Sequence, residues 1–241
     1  MHTTIPRILS LAVLLLAGGA AASAQAPALA GRWSAIVEVD KVEVPFTFEI
    51  SGEGRSLQGV FFNGERRVAS TSSETADGAV TFSFDQFGSK LRTRLADGQW
   101  SGEYVRARGT PYPIRATRAV PAAAVRGDVP SIDGTWLVGA KSRKGETAWR
   151  FIARQSGAEV SATILRVDGD TGTLTGSYRD GRFLLSHFSG ARPLLLEVTP
   201  AANGTLLLKQ NNQTELVAAR AGAAEAKAFG EPTDPGAHTS V

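Results

Sequence analysis

The sequence predicts an all-β protein made of two tandem antiparallel repeats, each an eight-stranded barrel or sandwich. Three observations support this fold class. Apolar and polar side chains alternate with a period of two along most of the chain. Turn signals separate the alternating segments about every 8–12 residues. The two halves also match each other at an offset of about 103 residues.

The alternation defines eight predicted strands in each half. Phe46, Phe48 and Ile50, for example, alternate with Thr47 and Glu49, which is typical of a strand with one buried face. The predicted strands of the first half are 31–40, 44–51, 56–63, 66–75, 79–84, 89–95, 99–105 and 112–118. Those of the second half are 134–141, 147–154, 158–167, 171–178, 182–188, 193–199, 204–209 and 213–220.

Asn-Gly and Asp-Gly pairs connect many of these strands. They include Asn63-Gly64, Asp77-Gly78, Asp97-Gly98 and Asp180-Gly181. Such pairs favour type I′ hairpins, because both central residues of that turn need a positive φ. Each half is therefore expected to be a meander of hairpins that closes as a small barrel. The alternative is that both halves belong to one larger continuous sheet.

The repeat is carried by turn glycines and apolar positions. Gly31-Arg32-Trp33 matches Gly134-Thr135-Trp136, and Asp77-Gly78 matches Asp180-Gly181. These are positions that a duplicated β-module needs for turns and core packing, so we interpret the halves as a duplication. The predicted division is a leader at 1–24, repeats at 31–118 and 133–221, a linker at 119–132, and a segment at 222–241. In this last segment a short helix precedes an extended tether.

The first 24 residues are typical of a secretory signal peptide. Arg7 precedes a short apolar run from Ile8 to Ala17, and Ala22-Ser23-Ala24 provides an A-x-A cleavage site. The run is shorter than the roughly 20 apolar residues that span a bilayer. We therefore expect cleavage after Ala24 and a periplasmic or secreted mature chain with no membrane association.

Composition excludes several kinds of chemistry. The chain has no cysteine, so it contains no disulfide, no thiolate zinc site and no C-x-x-C redox pair. Loss of Arg7 with the leader reduces the net charge from +3 to +2. So small a positive charge does not indicate nucleic-acid binding. The sequence also lacks the common catalytic motifs. It predicts no cofactor and no metal.

A candidate pocket consists of His187, Trp33, Trp136 and Trp149. His187 lies at the repeat position of Phe84 and is expected to be half-buried. It serves either as a structural histidine or, with a carboxylate such as Asp85 or Asp180, as a hydrolytic base. Trp33 and Trp136 open the two repeats, where they either fill the cores or line a ligand cavity, and Trp149 lies at the repeat position of Phe46.

Two further patterns have ordinary structural interpretations. Asp168-Gly169-Asp170-Thr171-Gly172 is similar to a fragment of a calcium loop but lacks the remaining oxygen ligands, so a tight hairpin is favoured. Arg92 and Arg94 share one strand face. Together with Arg66, Arg67, Arg106 and Arg108, they form either an anion-binding strip or a solvated outer face, and the solvated face is favoured.

Four segments resemble the N-terminal region of exported TlpA/ResA-like thiol–disulfide oxidoreductases. They are 148–162, 167–176, 185–193 and 231–241, and the resemblance covers about residues 31–241. In that family such a region precedes a thioredoxin-like domain with a C-x-x-C pair. The resemblance implies a partial gene product or a stand-alone relative, and no catalytic residue is transferred because this chain has no cysteine.

The leading functional hypothesis is an exported, non-catalytic β-domain pair. It would position a thioredoxin-like module, or bind its substrate or another periplasmic protein. The first alternative is a barrel that carries a small apolar ligand. The second is an enzyme that uses His187.

Overall fold

The computed structural model describes residues 29–120, 127–140 and 148–222. These residues form eighteen strands and two single-turn 3-10 helices, Gly54–Ser56 and Asp85–Phe87. The strands belong to two separate nine-stranded sheets, so the prediction of an all-β protein with two β-domains is confirmed. The predicted leader and nearly all of the predicted C-terminal helix and tether lie outside the described residues. No helix in the described ranges is long and apolar enough to cross a membrane.

The first domain contains nine antiparallel strands. They are β1 Gly31–Val39, β2 Val42–Ser51, β3 Gln58–Asn63, β4 Arg66–Ala69, β5 Ser72–Ala76, β6 Ala79–Phe84, β7 Ser89–Ala96, β8 Gln99–Val105 and β9 Tyr112–Arg118. The sheet has the order β4-β3-β2-β1-β9-β8-β7-β6-β5, and it curls until its two ends approach each other.

The second domain also contains nine strands. They are β10 Gly134–Gly139, β11 Ala148–Ser156, β12 Glu159–Arg166, β13 Gly169–Asp170, β14 Leu174–Arg179, β15 Arg182–His187, β16 Leu194–Pro200, β17 Leu206–Gln210 and β18 Leu216–Arg220. Eight of them close as a barrel, because β10 pairs with both β11 and β18 while β12 pairs with both β11 and β14. The short β13 lies outside this ring.

The predicted Asp-Gly hairpins have the expected backbone. Asp77, Asp97 and Asp180 have φ values of 50°, 51° and 51°, and the glycine after each is also positive. Two successive positive φ values are the requirement of a type I′ turn. These three Asp-Gly signals therefore place their hairpins correctly. The prediction of a type I′ turn at Asn63-Gly64 is wrong, because Asn63 has no positive φ and is the last residue of β3, paired with Arg66.

The prediction of eight strands in the first half is wrong at one place. The predicted strand 66–75 divides at Ser70 and Thr71, because the chain changes its pairing partner there. The Ser70 N–H donates to the carbonyl of Gly59 at 2.8 Å, whereas the Thr71 N–H donates to the carbonyl of Ser83 at 2.8 Å. One segment thus pairs first with β3 and then with β6, which produces two short strands.

A tryptophan–arginine pair fixes the first strand of the first domain to its last strand. The Trp33 side chain is 1% exposed, and its Nε1 donates to the carbonyl of Leu29 at 3.0 Å. The guanidinium of Arg118 lies 4.2 Å from the Trp33 ring centroid and donates to the carbonyl of Ala30 at 2.6 Å. Gly31 has a φ of 127°, and a Cβ there would lie 2.5 Å from Arg118. Only glycine fits this position.

The second domain repeats this pair. Trp136 donates through Nε1 to the carbonyl of Ile132 at 2.9 Å. Arg220 lies 4.4 Å from the Trp136 ring and donates to the carbonyl of Asp133 at 2.9 Å. Ile132 is fully buried in the second core, so the end of the predicted linker 119–132 packs as part of the second domain.

The two domains are joined by the loop after β15, residues 188–190, here called the Phe188 loop. Phe188 leaves its own barrel and packs in the core of the first domain. Its ring centroid lies 4.8 Å from those of Phe46, Phe61 and Tyr104, with interplanar angles of 66–86°. Such edge-on aromatic contacts stabilise a core beyond the area that they bury.

Hydrogen bonds fix the Phe188 loop in place. The buried carbonyl of Gly190 accepts from the Ser89 hydroxyl at 2.8 Å and from the Tyr104 hydroxyl at 3.0 Å. Gly190 has a φ of 98°, and a Cβ there would lie 2.9 Å from the Phe87 ring. A glycine is therefore required where the loop enters the first domain.

Candidate functional site

A cleft of about 710 Å³ lies between the two domains. The edge strand β4 forms one wall, and the β12–β13 hairpin together with the segment after the Phe188 loop forms the other. The polar side chains that line this interdomain cleft are Asn63, Arg66, Arg67, Gln86, Arg166, Asp170, Thr171, His187, Ser189, Arg192, Gln210 and Asn211.

The first-domain wall carries two arginines that differ in whether they pair with a carboxylate. Arg67 forms an ion pair with Glu49, which also pairs with Arg32 at 3.0 Å. These two arginines hold the pKa of Glu49 below its ordinary value. Arg66 has no carboxylate partner among the described residues.

The second-domain wall carries Arg166 and Arg192. Arg166 is held by a 2.9 Å hydrogen bond from its Nη2 to Oε1 of Gln210, and its guanidinium stacks 4.3 Å from the Trp149 ring centroid. Arg192 has a φ of 45°, an uncommon conformation for a residue with a side chain. Within the described ranges neither arginine pairs with a carboxylate.

His187 lies in the interdomain cleft, half-buried as predicted. Its Nδ1 is 3.2 Å from the Thr173 carbonyl, and its Nε2 is 3.3 Å from the Ser189 hydroxyl. Because the carbonyl can only accept, Nδ1 carries a proton when the ring is neutral, and Nε2 then accepts from Ser189. Burial, helped by the positive charge of Arg192, lowers the pKa of His187 below 6.5. The neutral ring is therefore favoured at neutral pH.

The structure does not bring the predicted pocket residues together. Trp33 and Trp136 lie in separate cores, and Trp149 stacks under Arg166. At the end of the second barrel that Trp149 lines, the cavity has a volume of only about 20 Å³. This is room for about one water molecule.

The carboxylates considered as partners for His187 do not bond to it. Asp180 lies in the turn before β15, and His187 ends that strand. The five steps of extended chain from Arg182 to His187 alone span about 17 Å. Asp85 belongs to the first domain and forms no hydrogen bond with His187. The acidic side chain that acts on the His187 ring is Asp170.

The Asp168–Gly172 segment forms the predicted tight hairpin. Arg166 pairs with Gly169 across it, and Oδ1 of Asp170 accepts from the Gly172 N–H at 2.7 Å. Within the described ranges, no cluster of three or more His, Asp or Glu side chains is arranged to hold a metal ion.

The predicted arginine strip divides into separate groups. Arg92 and Arg94 are exposed on β7, outside the interdomain cleft, whereas Arg66 and Arg67 line it. Arg106 instead stacks 3.9 Å from the Tyr112 ring centroid. Sequence reasoning missed Arg166 and Arg192, because they reach this site only through the packing of the domains. One available signal was their position, with Arg166 at the end of β12 and Arg192 in the loop between β15 and β16.

Comparisons with known proteins do not identify a family for this chain. No protein-family model matches the chain, and no curated protein matches it. Among solved structures, the Burkholderia oklahomensis agglutinin is similar at 12% identity and a TM-score of 0.21, over 78% of this chain and 93% of that one. At this level of similarity the match supports no conclusion about ligand or activity.

Proposed function

We propose that this chain is an exported, non-catalytic β-domain pair that positions a thioredoxin-like module or binds its partner. The proposal is based on the resemblance to the region that precedes such modules in exported thiol–disulfide oxidoreductases. Disulfide exchange needs a thiolate, and this chain has no cysteine to supply one. The contribution expected of the chain is therefore binding and orientation.

The observation that carries the proposal is the Phe188 loop. Domains joined by small polar interfaces usually move relative to each other. Here Phe188 packs in the core of the first domain, and the Gly190 carbonyl accepts two buried hydrogen bonds. A unit whose halves hold one fixed orientation is suited to present a partner at a defined angle and at high effective concentration.

The packing of the domains gives the alternatives less support. A carrier of small apolar ligands needs a cavity of several hundred Å³. The apolar cavity at the Trp149 end of the second barrel measures about 20 Å³, and Phe188 fills space in the first domain. The enzyme alternative needs a carboxylate beside His187, and its two ring nitrogens instead contact Thr173 and Ser189.

The test is cross-linking in the exported compartment, followed by binding with purified proteins. A photoreactive residue at Val217, which is 54% exposed, is expected to capture a protein with a thioredoxin-like domain and a C-x-x-C pair. The purified pair should bind, and Phe188→Ala should weaken binding about tenfold, because the fixed domain orientation is lost. Absence of binding to any C-x-x-C protein contradicts the proposal.

Export has its own test. Mass spectrometry of the protein from the periplasm or medium is expected to find a mature N-terminus at Gln25, as the A-x-A site predicts. A chain that retains residues 1–24 in the cytoplasm contradicts this part of the proposal without affecting the binding assay.

A further inference from the structure

We propose that the interdomain cleft binds a small organic anion with several carboxylate or phosphate oxygens, held between the two domains. This inference goes beyond the proposed function and does not depend on it. It rests on the charge of the cleft, on the hydrogen-bonding groups left free there, and on its size.

The charge of the interdomain cleft is strongly unbalanced. Four arginines line it, against a single carboxylate, Asp170. Asp170 is partly occupied, since its Oδ1 accepts from the Gly172 N–H. Arg66, Arg166 and Arg192 have no carboxylate partner among the described residues. Guanidinium groups bind carboxylates and phosphates through paired, charge-assisted hydrogen bonds.

The amide side chains of the cleft add donors. Oδ1 of Asn63 accepts from the Thr173 N–H, and Oδ1 of Asn211 accepts from the Leu195 N–H, both at 2.8 Å. Backbone N–H groups can only donate, so the orientation of both amides is determined. Their NH₂ groups have no partner among the described residues.

Gln210 follows the same rule. Its Oε1 accepts from Arg166, which can only donate, and the Gln210 NH₂ group has no partner among the described residues. Three amides therefore use their oxygens inside the protein and offer only donors to a ligand. A site that offers guanidinium and amide donors selects a ligand rich in acceptor oxygens and negative charge.

The volume and the two walls indicate more than one anionic group. About 710 Å³ is within the range for a small-molecule site and far exceeds a single inorganic anion. Arg66 lies on the first-domain wall, and Arg166 and Arg192 lie on the second. A ligand that neutralises both walls needs at least two anionic groups separated by a short spacer.

Isothermal titration calorimetry at low ionic strength tests the inference, with citrate as the carboxylate probe and pyrophosphate as the phosphate probe. At least one probe is expected to bind the wild-type protein, while the uncharged triethyl citrate does not. The tighter of the two identifies the anionic group that the cleft prefers, and equal affinities indicate that it recognises their shared charge. Absence of binding by both anions overturns the proposal.

Matched arginine variants locate the site. Arg66→Gln and Arg192→Gln each remove one charge from opposite walls and should each weaken binding about tenfold or more. Arg92→Gln removes the same charge from the exposed outer face of β7, outside the cleft, and should change affinity less than twofold. An equal loss in all three variants indicates unspecific attraction and overturns the site. A loss confined to one wall overturns the bridging geometry.

Discussion

The two domains share a tryptophan–arginine pair that fixes their terminal strands, but they differ in whether the sheet closes. Both fix their first and last strands with a buried tryptophan and an arginine above it, at Trp33 and Trp136. In the second domain β12 pairs with β14 over four residue pairs, which closes the barrel. At the corresponding place in the first domain, β3 and β5 share no ladder, and the Ser73 hydroxyl donates to the Leu57 carbonyl at 2.6 Å.

Because only the second domain closes as a barrel, the two repeats differ in how far each depends on the other. The closed barrel has its own ring of backbone hydrogen bonds, whereas the open sheet leaves part of its core to be covered from outside. Phe188 and Gly190 of the closed domain supply that cover. The first domain therefore depends on the second for part of its core, and the second depends much less on the first.

The largest expected effect comes from Phe188→Ala. Removing a ring packed against three aromatic side chains leaves a cavity and should lower the free energy of unfolding by about 3–5 kcal/mol. Chemical denaturation measures this loss. Val217→Ala, at an exposed position of the second domain, is the control and should change stability by less than about 0.5 kcal/mol. Equal effects would refute a core role for Phe188.

Ser70→Ala tests the open seam of the first domain, which is the place between β3 and β5 where the sheet does not close. The buried Ser70 hydroxyl accepts from the Gly59 N–H at 3.1 Å, and its loss leaves that donor without an acceptor. We expect a loss of about 1–3 kcal/mol. Ser161→Ala on the closed seam is the control, because its side chain is exposed while its backbone pairs with Thr175. A loss as large at Ser161 would show that the seams do not differ.

Arg118→Met and Arg220→Met test whether the tryptophan–arginine pairs stabilise the two domains equally. Each removes a guanidinium that stacks on a tryptophan and donates to a carbonyl one strand away. Both should cost about 1–2 kcal/mol, from the lost cation–π contact and hydrogen bond. Thermal unfolding compares them. A large effect in one domain with none in the other would contradict the structural equivalence of the two pairs.

The smallest expected effect is the pH dependence from His187. Its pKa is lowered in the folded protein, so its stabilising contribution is present above the ordinary value of 6.5 and is lost as the pH falls through the folded pKa. His187→Gln should flatten the stability profile in this range. Glu49 acts separately at more acidic pH, because its pKa is lowered from 4.5. An unchanged profile between pH 7.5 and 5 would contradict the role of His187.

Local features of the fold were predictable, because they depend on neighbouring residues. The type I′ turn at Asp77-Gly78 needs only two residues with positive φ, and the alternation of Phe46, Phe48 and Ile50 needs only one buried face. The break at Ser70 was missed, since nothing in the local pattern shows that the chain changes its pairing partner there. Residues 223–241 lie outside the described part, so the helix and tether stay predictions.

The candidate site was less predictable, because it forms between domains. The apolar Phe188 fits a strand end within the predicted segment 182–188, and its actual place is in the other domain's core. Arg66 was considered with Arg92 as one strip, although the fold places them in different environments. The side chains of Arg166 and Asn63 come from different domains and line the same cleft only after those domains pack.

Hydrogen exchange of the Phe188→Ala variant, read by mass spectrometry for each domain separately, is the most direct test of whether the Phe188 loop completes the first domain. If the Phe188 loop completes the first domain, the variant should lose protection mainly in peptides that contain Phe46, Phe61 and Tyr104, while the closed second barrel keeps most of its protection. Loss of protection confined to the second domain, with the first unchanged, would show that the Phe188 loop does not complete the first domain.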